Sequence, residues 1–267
     1  MKIAVCSYDA NHNTKSIDQK LKDKLINAGM ILDNYHPDIV ISIGGDGTLL
    51  SAFHKYKERI NDIKFLGIHT GHLGFYTDWR SENISELVDH LVNNDVRDIS
   101  YPLVSANVTY AEGQKKDNFL ALNEISIKKE NKTLICDVYI NGELFERFRG
   151  DGLCISTPTG STGYNKSLGG AVISPTLDVF QLAEIASINN QVYRTLGASI
   201  ILDKLTQVKI SMLSPDSISF NSDQQLIFEK PISQVSFSLS DKRIHFLDYS
   251  KDSFISRVKN SFIGKIQ

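Results

Sequence analysis

The chain has 267 residues, enough for one large domain or two of ordinary size, and its 41% hydrophobic and 22% charged residues suit a globular protein, not a disordered one. A formal net charge of −2, with both signs mixed along the chain, gives no general electrostatic reason to bind nucleic acid or an anionic membrane. The first apolar stretch is too short for a signal peptide and no run reaches the length of a membrane span, so a cytoplasmic protein with a small-molecule ligand is expected.

Residues 3 to 7 read as a strand, and Ile17, Leu21, Leu25 and Ile26 mark a helix face. Residues 39 to 43 are mostly β-branched and apolar, a buried strand that stops at Gly44-Gly45-Asp46-Gly47-Thr48, after which Leu49, Leu50, Phe53, Tyr56 and Ile60 recur at helical spacing. The glycines therefore sit in a strand-to-helix turn. There they can take positive φ and let a ligand approach the main chain, while the helix N–H groups favour an anion such as phosphate. Asp46 as a simple helix cap would need one glycine at most, whereas this turn has three, so a functional turn is expected. A third strand over 65–68 leads into the glycine-bearing loop His69-Thr70-Gly71-His72-Leu73-Gly74-Phe75, and Ile84, Leu87, Val88, Leu91 and Val92 form a further helical stripe. Such alternation implies a parallel sheet covered by helices, with ligands beyond the carboxyl ends of the strands.

From Tyr101-Pro102 the period changes to two, and short alternating runs follow at 119–128, 133–140 and 143–149, the last two joined by Asn141-Gly142, a hairpin signal. More runs lie near 199–202, 207–212, 218–221, 226–228, 235–239 and 243–247, with a helix expected around 177–187. The tail from Ser253 is helical, with Phe254, Ile255, Val258 and Phe262 on one side. The expected fold is an α/β N-terminal domain with a parallel Rossmann-like sheet (1–100), an all-β C-terminal domain (101–249) and a C-terminal helix (250–267) returning to the first domain.

Three polar insertions interrupt the β region: Asn123-Glu124, Arg147-Phe148-Arg149-Gly150-Asp151-Gly152, and the Gly/Ser/Thr-dense stretch from Ser156 to Gly170. The first two have plain alternatives, a strand edge and a tight turn with a surface ion pair. The third fits the lining of a nucleotide site. It is no Walker A loop, because Asn165 stands before Lys166 and the stretch follows β structure. His69 and His72 invite a metal reading that nearby ligands do not support, and the run Gln114-Lys115-Lys116-Asp117 reads as a solvated hairpin tip. No Ser, His and Asp set matches a nucleophile elbow. Cys6, Cys136 and Cys154 lie in apolar runs without a Cys-x-x-Cys pair and read as buried thiols.

The Gly-Gly-Asp-Gly-Thr turn resembles the signature shared by NAD kinases, diacylglycerol and sphingosine kinases and, in a related form, phosphofructokinases. The order and spacing of residues 67–75, Leu122-Asn123-Glu124, residues 148–152 and residues 156–162 resemble bacterial NAD kinases over nearly the whole chain. Ala186-Ser187-Ile188-Asn189-Asn190 followed by Tyr193-Arg194-Thr195 is similar to the short Gram-positive type. The resemblance implies transfer of the γ-phosphoryl group of ATP, or of polyphosphate in some members, to the 2′-hydroxyl of the adenosine ribose of NAD, giving NADP. Mg²⁺ would come with the donor, and no metal ligands are assigned on the protein. Asp46 would accept the proton and Gly47 would lie against the dinucleotide. Asn123, Glu124, Arg149, Asp151, Thr159, Thr162, Gly163, Tyr164, Asn165, Lys166, Ser167, Ala186 and Gln224 would complete the NAD site. Gly163 departs from the family's usual alanine and Gln224 from its histidine. The resemblance also implies self-association through the β domains as a homotetramer, with neither nucleic acid nor membrane as partner. A lipid kinase sharing the Asp46 turn and a non-catalytic dinucleotide sensor are the competing readings.

Overall fold

The computed structural model describes residues 1–7, 12–71, 74–93, 97–111, 116–214, 216–248 and 253–264. The chain divides into two compact units, Met1–Tyr101 with Arg243–Gln267, and Pro102–Lys242.

The first unit begins with β1 (Lys2–Ser7), α1 (His12–Asn27), a short β2 (Ile31–Leu32), β3 (Ile39–Ile43), α2 (Asp46–Tyr56), β4 (Lys64–His69), a short β5 (Trp79–Arg80) and α3 (Ile84–Asn93). The strands pair in parallel in the order β2-β1-β3-β4-β5, with Ile3 opposite Ile39 and Ile41 opposite Leu66. Parallel strands are covered on both faces, which is why β3 is apolar in near-continuous sequence and buried at every position. Ile17, Leu21 and Leu25 of α1 and Ile84, Leu87, Val88 and Leu91 of α3 pack with Ile3, Ile39, Ile41 and Ile68 in one core. Ile26 and Val92, expected on those stripes, are each 55% exposed. Each lies where its helix face turns to solvent.

The second unit contains β6 (Arg97–Tyr110) from Pro102 onward, β7 (Lys116–Ala121), β8 (Glu124–Lys128), β9 (Leu134–Ile140), β10 (Glu143–Gly150), β11 (Gly152–Ser156), the one-turn α4 (Tyr164–Ser167), β12 (Val179–Ile185), β13 (Ile200–Asp203), β14 (Val208–Met212), β15 (Ser217–Ser222) and β16 (Gln225–Asp248) as far as Lys242; the start of β6 and the end of β16 belong to the first unit. Here pairing is antiparallel, with β13-β12-β11-β8-β15 as one run and β10-β9-β14 as another. Asn141 (φ 51°) and Gly142 (φ 85°) close the β9–β10 hairpin in the left-handed region that such turns require. Phe148, Phe180, Phe220 and Phe237 fill the core, and Phe220 stacks on Phe228 at 5.0 Å. Gln114 and Lys115 of the expected basic tip lie outside the described residues.

The helix expected around 177–187 is instead strand β12. Phe180 to Ala183 are buried in succession between β11 and β13, so two-sided burial overrides the helix preference of Leu, Ala and Glu in that run. Arg147 reaches across to Asp137 at 2.7 Å and 3.1 Å, and Asp151 lies between β10 and β11. Cys6, Cys136 and Cys154 are buried and unpaired.

The tail belongs to the first unit. Helix α5 (Phe254–Val258) is capped by Ser253, whose Oγ accepts the Ser256 N–H at 3.2 Å, and continues into a π-helical turn over Lys259–Ile263. Phe254 and Phe262 pack on Phe75. The expected apolar stripe is only partly realised, since Ile255 is 69% exposed and the buried residue of α5 is Arg257. Among the described residues no helix is long and apolar enough to cross a membrane.

Candidate active site

In the first unit, buried β3 ends at Gly44, whose φ of +152° is a conformation other residues rarely adopt. Of the three turn glycines it alone has positive φ; Gly45 is extended at −95° and Gly47 lies inside α2. Asp46 does not cap the helix. It is the first residue of α2, behind Gly45, and no side chain caps that end. Its carboxylate turns instead to the loop after β4, where Oδ2 accepts the Phe75 N–H at 2.9 Å and Oδ1 the Tyr76 N–H at 3.0 Å. Gly74 permits this approach, because a Cβ there would fall 2.2 Å from Asp46 Oδ1. Nearby, His69 is buried with Nδ1 2.9 Å from the Gly71 carbonyl. His72 lies outside the described residues. Among those described, no three His, Cys, Asp or Glu side chains gather as metal ligands.

In the second unit, Leu122 and Asn123 link β7 to β8, and this link is gripped from both sides. Asp223, in the turn between β15 and β16 and at φ 52°, receives the N–H groups of Leu122 (3.3 Å), Asn123 (2.6 Å) and Glu124 (3.3 Å). Thr157 Oγ1 donates to the carbonyls of Leu122 (2.5 Å) and Asn123 (3.1 Å), and Thr159 Oγ1 to that of Leu122 (3.0 Å). The Gly160 backbone presses on Asn123, leaving no room for a side chain.

Glu124 is buried by this arrangement and its Oε2 has no hydrogen-bond partner. Burial, and then the carboxylate of Asp223, push its pKa up to about 8 against the weaker pull of Lys128. Gly163 lies beside that oxygen: a Cβ there would stand 3.5 Å from Oε2, an ordinary contact, and 3.3 Å from the Gly160 carbonyl oxygen, a tight one.

The Gly/Ser/Thr stretch folds into a 3₁₀ turn over Thr159–Thr162 followed by α4. Ser161 is fully buried and bridges the Pro158 carbonyl (2.6 Å) and the Ile173 N–H (2.9 Å). Asn165 is fully buried too, with Nδ2 3.5 Å from the Ala171 carbonyl and Oδ1 unpaired. Lys166 and Ser167 are exposed, while Thr162 and Tyr164 are half-buried, Tyr164 beneath the Lys128 ammonium at 4.3 Å. Arg149 stacks on the Tyr193 ring at 4.1 Å, Ala186 stands exposed at φ 47°, and Asp151 and Gln224 are exposed. The structure thus gathers Asn123, Glu124, Thr159 and Gly163 around the gripped link, while Tyr164 lies under Lys128 and against Cys154, Ala183 and Ile185. It places Arg149 with the segment after β12. Thr157 and Asp223 stand inside motifs that carry the resemblance but had no role from it, and the N–H groups of Phe75 and Tyr76 have no residue-type signal.

Two family models match, the ATP-NAD kinase N-terminal domain over residues 6–96 and the ATP-NAD kinase C-terminal domain over residues 122–247. An NAD kinase of Enterococcus faecalis is 47% identical over 265 residues, covering 99% of this chain and all of that protein. One from Levilactobacillus brevis is 48% identical over 265 residues, covering 99% of each. Among solved structures, a yeast NADH kinase complexed with NADH superposes with a TM-score of 0.85 at 16% identity over 99% of this chain and 87% of that one. An Archaeoglobus fulgidus NAD kinase in complex with ATP gives 0.75 at 23% identity over 99% and 98%. At those identities the likeness speaks to the fold.

Proposed function

The chain belongs to the ATP-NAD kinase family, whose reaction is phosphorylation of NAD to NADP, and on that premise we propose that Asp46 is the proton acceptor for the 2′-hydroxyl of the adenosine ribose. Membership removes the lipid-kinase and sensor readings. The observation that carries the assignment is the orientation of the Asp46 carboxylate, which is turned away from its own helix end and held by two main-chain N–H groups. A ribose hydroxyl is far too weak an acid to lose its proton to a carboxylate in the ground state, so Asp46 accepts the proton as the O–P bond forms. Phosphoryl transfer of this kind passes through a loose transition state, where positioning and charge neutralisation outweigh nucleophile strength. The proposal has Mg²⁺ come with the donor, as MgATP, where it would screen the phosphate charge.

For the acceptor, the proposal assigns Gly47 to the dinucleotide near Asp46. Asn123, Glu124, Arg149, Asp151, Thr159, Thr162, Gly163, Tyr164, Lys166, Ser167, Ala186 and Gln224 are assigned to NAD, with buried Asn165 shaping the loop from within. Below about pH 8 Glu124 is protonated, so beside the ligand it stands as a neutral acid rather than as a charge that would repel phosphate. A cytoplasmic homotetramer assembled through the β-rich unit is also proposed, supported by exposed Leu144, Phe145, Val192 and Leu196 in that unit.

The test is to incubate the chain with NAD and Mg²⁺, with ATP or polyphosphate as donor, and to measure NADP with an NADP-specific dehydrogenase. Asp46→Asn is expected to retain NAD binding and to lose about 10²–10⁴ in turnover, the usual worth of general-base assistance. Near-normal turnover in that variant would sink the base assignment.

A further inference from the structure

Arg257, on the short helix near the chain's end, is 7% exposed, and nothing in the scheme above uses its charge. A buried guanidinium is stable only where its donors find acceptors. Nη1 donates to the carbonyls of Gly74 (2.8 Å) and Thr77 (3.1 Å), and Nη2 pairs with Asp78. These three acceptors bracket Phe75 and Tyr76, the residues whose N–H groups hold the two oxygens of Asp46.

The Gly74 carbonyl and the Phe75 N–H belong to one planar peptide group. That group therefore accepts from Arg257 on one side and donates to Asp46 on the other. A hydrogen bond at the carbonyl polarises the amide and strengthens the bond at its N–H. Rotating the plane to suit one partner misaligns the other. Phe254 and Phe262 of the same C-terminal segment flank the Phe75 ring, with centroids at 6.3 Å and 5.9 Å, and press on the residue that carries the N–H.

We propose that Arg257 is a positioning residue for the kinase reaction: through the Gly74–Phe75 peptide it sets the orientation of the Asp46 carboxylate, making the C-terminal segment part of the catalytic apparatus. The proposal rests on the reading of Asp46 as proton acceptor. Because the side-chain hydrogen bonds of Arg257 among the described residues go to the loop after β4, its loss is expected in kcat and not in the KM for NAD.

The experiment is a double-mutant cycle. Arg257→Gln is made in the native chain and in Asp46→Asn, and kcat, KM for NAD and thermal midpoint are measured for each, with residual rates taken from end-point NADP accumulation. In the native background kcat is expected to fall by about tenfold to a hundredfold, the scale of a misplaced catalytic group, with KM nearly unchanged. In the Asp46→Asn background the same change is expected to alter the residual rate by no more than about twofold, because the group it positions has already lost its function. Arg257→Lys keeps a charge for Asp78 but lacks the fork that spans two carbonyls, so it is expected to fall between the two and supplies the comparison if the glutamine variant does not fold. Equal losses in both backgrounds, a loss confined to KM, or no loss at all would overturn the proposal. Near-normal turnover of Asp46→Asn alone would instead overturn the proton-acceptor reading, so the two failures are distinguishable.

Discussion

A Cβ built on Gly74 would lie 2.2 Å from Asp46 Oδ1, 2.7 Å from Cγ and 2.9 Å from Oδ2, so any side chain at 74 and the carboxylate in its observed place exclude each other. The requirement for glycine is one of contact and not of backbone angle, since Gly74 has no positive φ. Asp46 is half-buried, so a carboxylate displaced from the two N–H groups has solvent beside it. Gly74→Ala is therefore expected to leave the thermal midpoint nearly unchanged and to lower kcat by about 10², the cost of an ångström-scale misplacement, as steady-state kinetics with NAD and ATP will report. Asp46 itself was legible in the sequence, because a carboxylate among three glycines at the end of a β-branched run has few structural uses. Its partners were not. They are main-chain N–H groups of Phe75 and Tyr76, which every residue but proline has and no other residue type signals.

At the level of the element, the link between β7 and β8 owes its shape to residues far off in sequence. Asp223 lies a hundred residues from Asn123, and only the pairing of β15 with β8 brings its turn beneath the three N–H groups it accepts. Removing the carboxylate leaves those buried donors without their acceptor, at roughly 1–3 kcal/mol for each that finds no water. Asp223→Ala is accordingly expected to lower stability by about 3 kcal/mol in urea unfolding and to raise the KM for NAD far more than it lowers kcat, since the link presents Asn123 and Glu124 but not Asp46. Asp223→Asn, which keeps one acceptor oxygen, is expected to fall between. Periodicity revealed the parallel strands of the first unit and the hairpin at Asn141-Gly142, where local pattern and tertiary setting agree. It misread β12, whose residues are buried on both faces and so lack the alternation that marks a half-exposed strand. It found the helix of the tail but not its buried side chain, an arginine held by polar acceptors that carries no apolar period.

For the molecule as a whole, the buried acids set how stability responds to pH. Glu124 titrates near 4.5 in the unfolded chain and at about 8 in the fold, and Glu146, raised by burial and further by Glu184 against a hydrogen bond from Leu196, at about 7. Between those values the folded protein holds protons that the unfolded chain has released. Stability contributed by the protonated acids is thus fully present below about pH 4.5 and is lost as pH rises through 7 and 8. Asp98 works in the opposite sense: burial raises it, but Lys64 and His245 outweigh that and hold it below its ordinary value, so its contribution is lost as pH falls. Its side chain is 41% exposed, and screening by solvent and salt makes it the weaker lever. The second unit, which contains Glu124 and Glu146, should therefore be the one that loosens on the alkaline side. Glu124→Gln removes the larger of the two titrations while keeping a neutral polar group of the same shape. Its thermal midpoint is expected to fall less than that of the native chain between pH 5 and pH 9, with the difference opening as pH rises toward about 8 and levelling off above it. Parallel midpoint-against-pH curves for the two proteins would mean that Glu124 is already ionised in the fold at neutral pH.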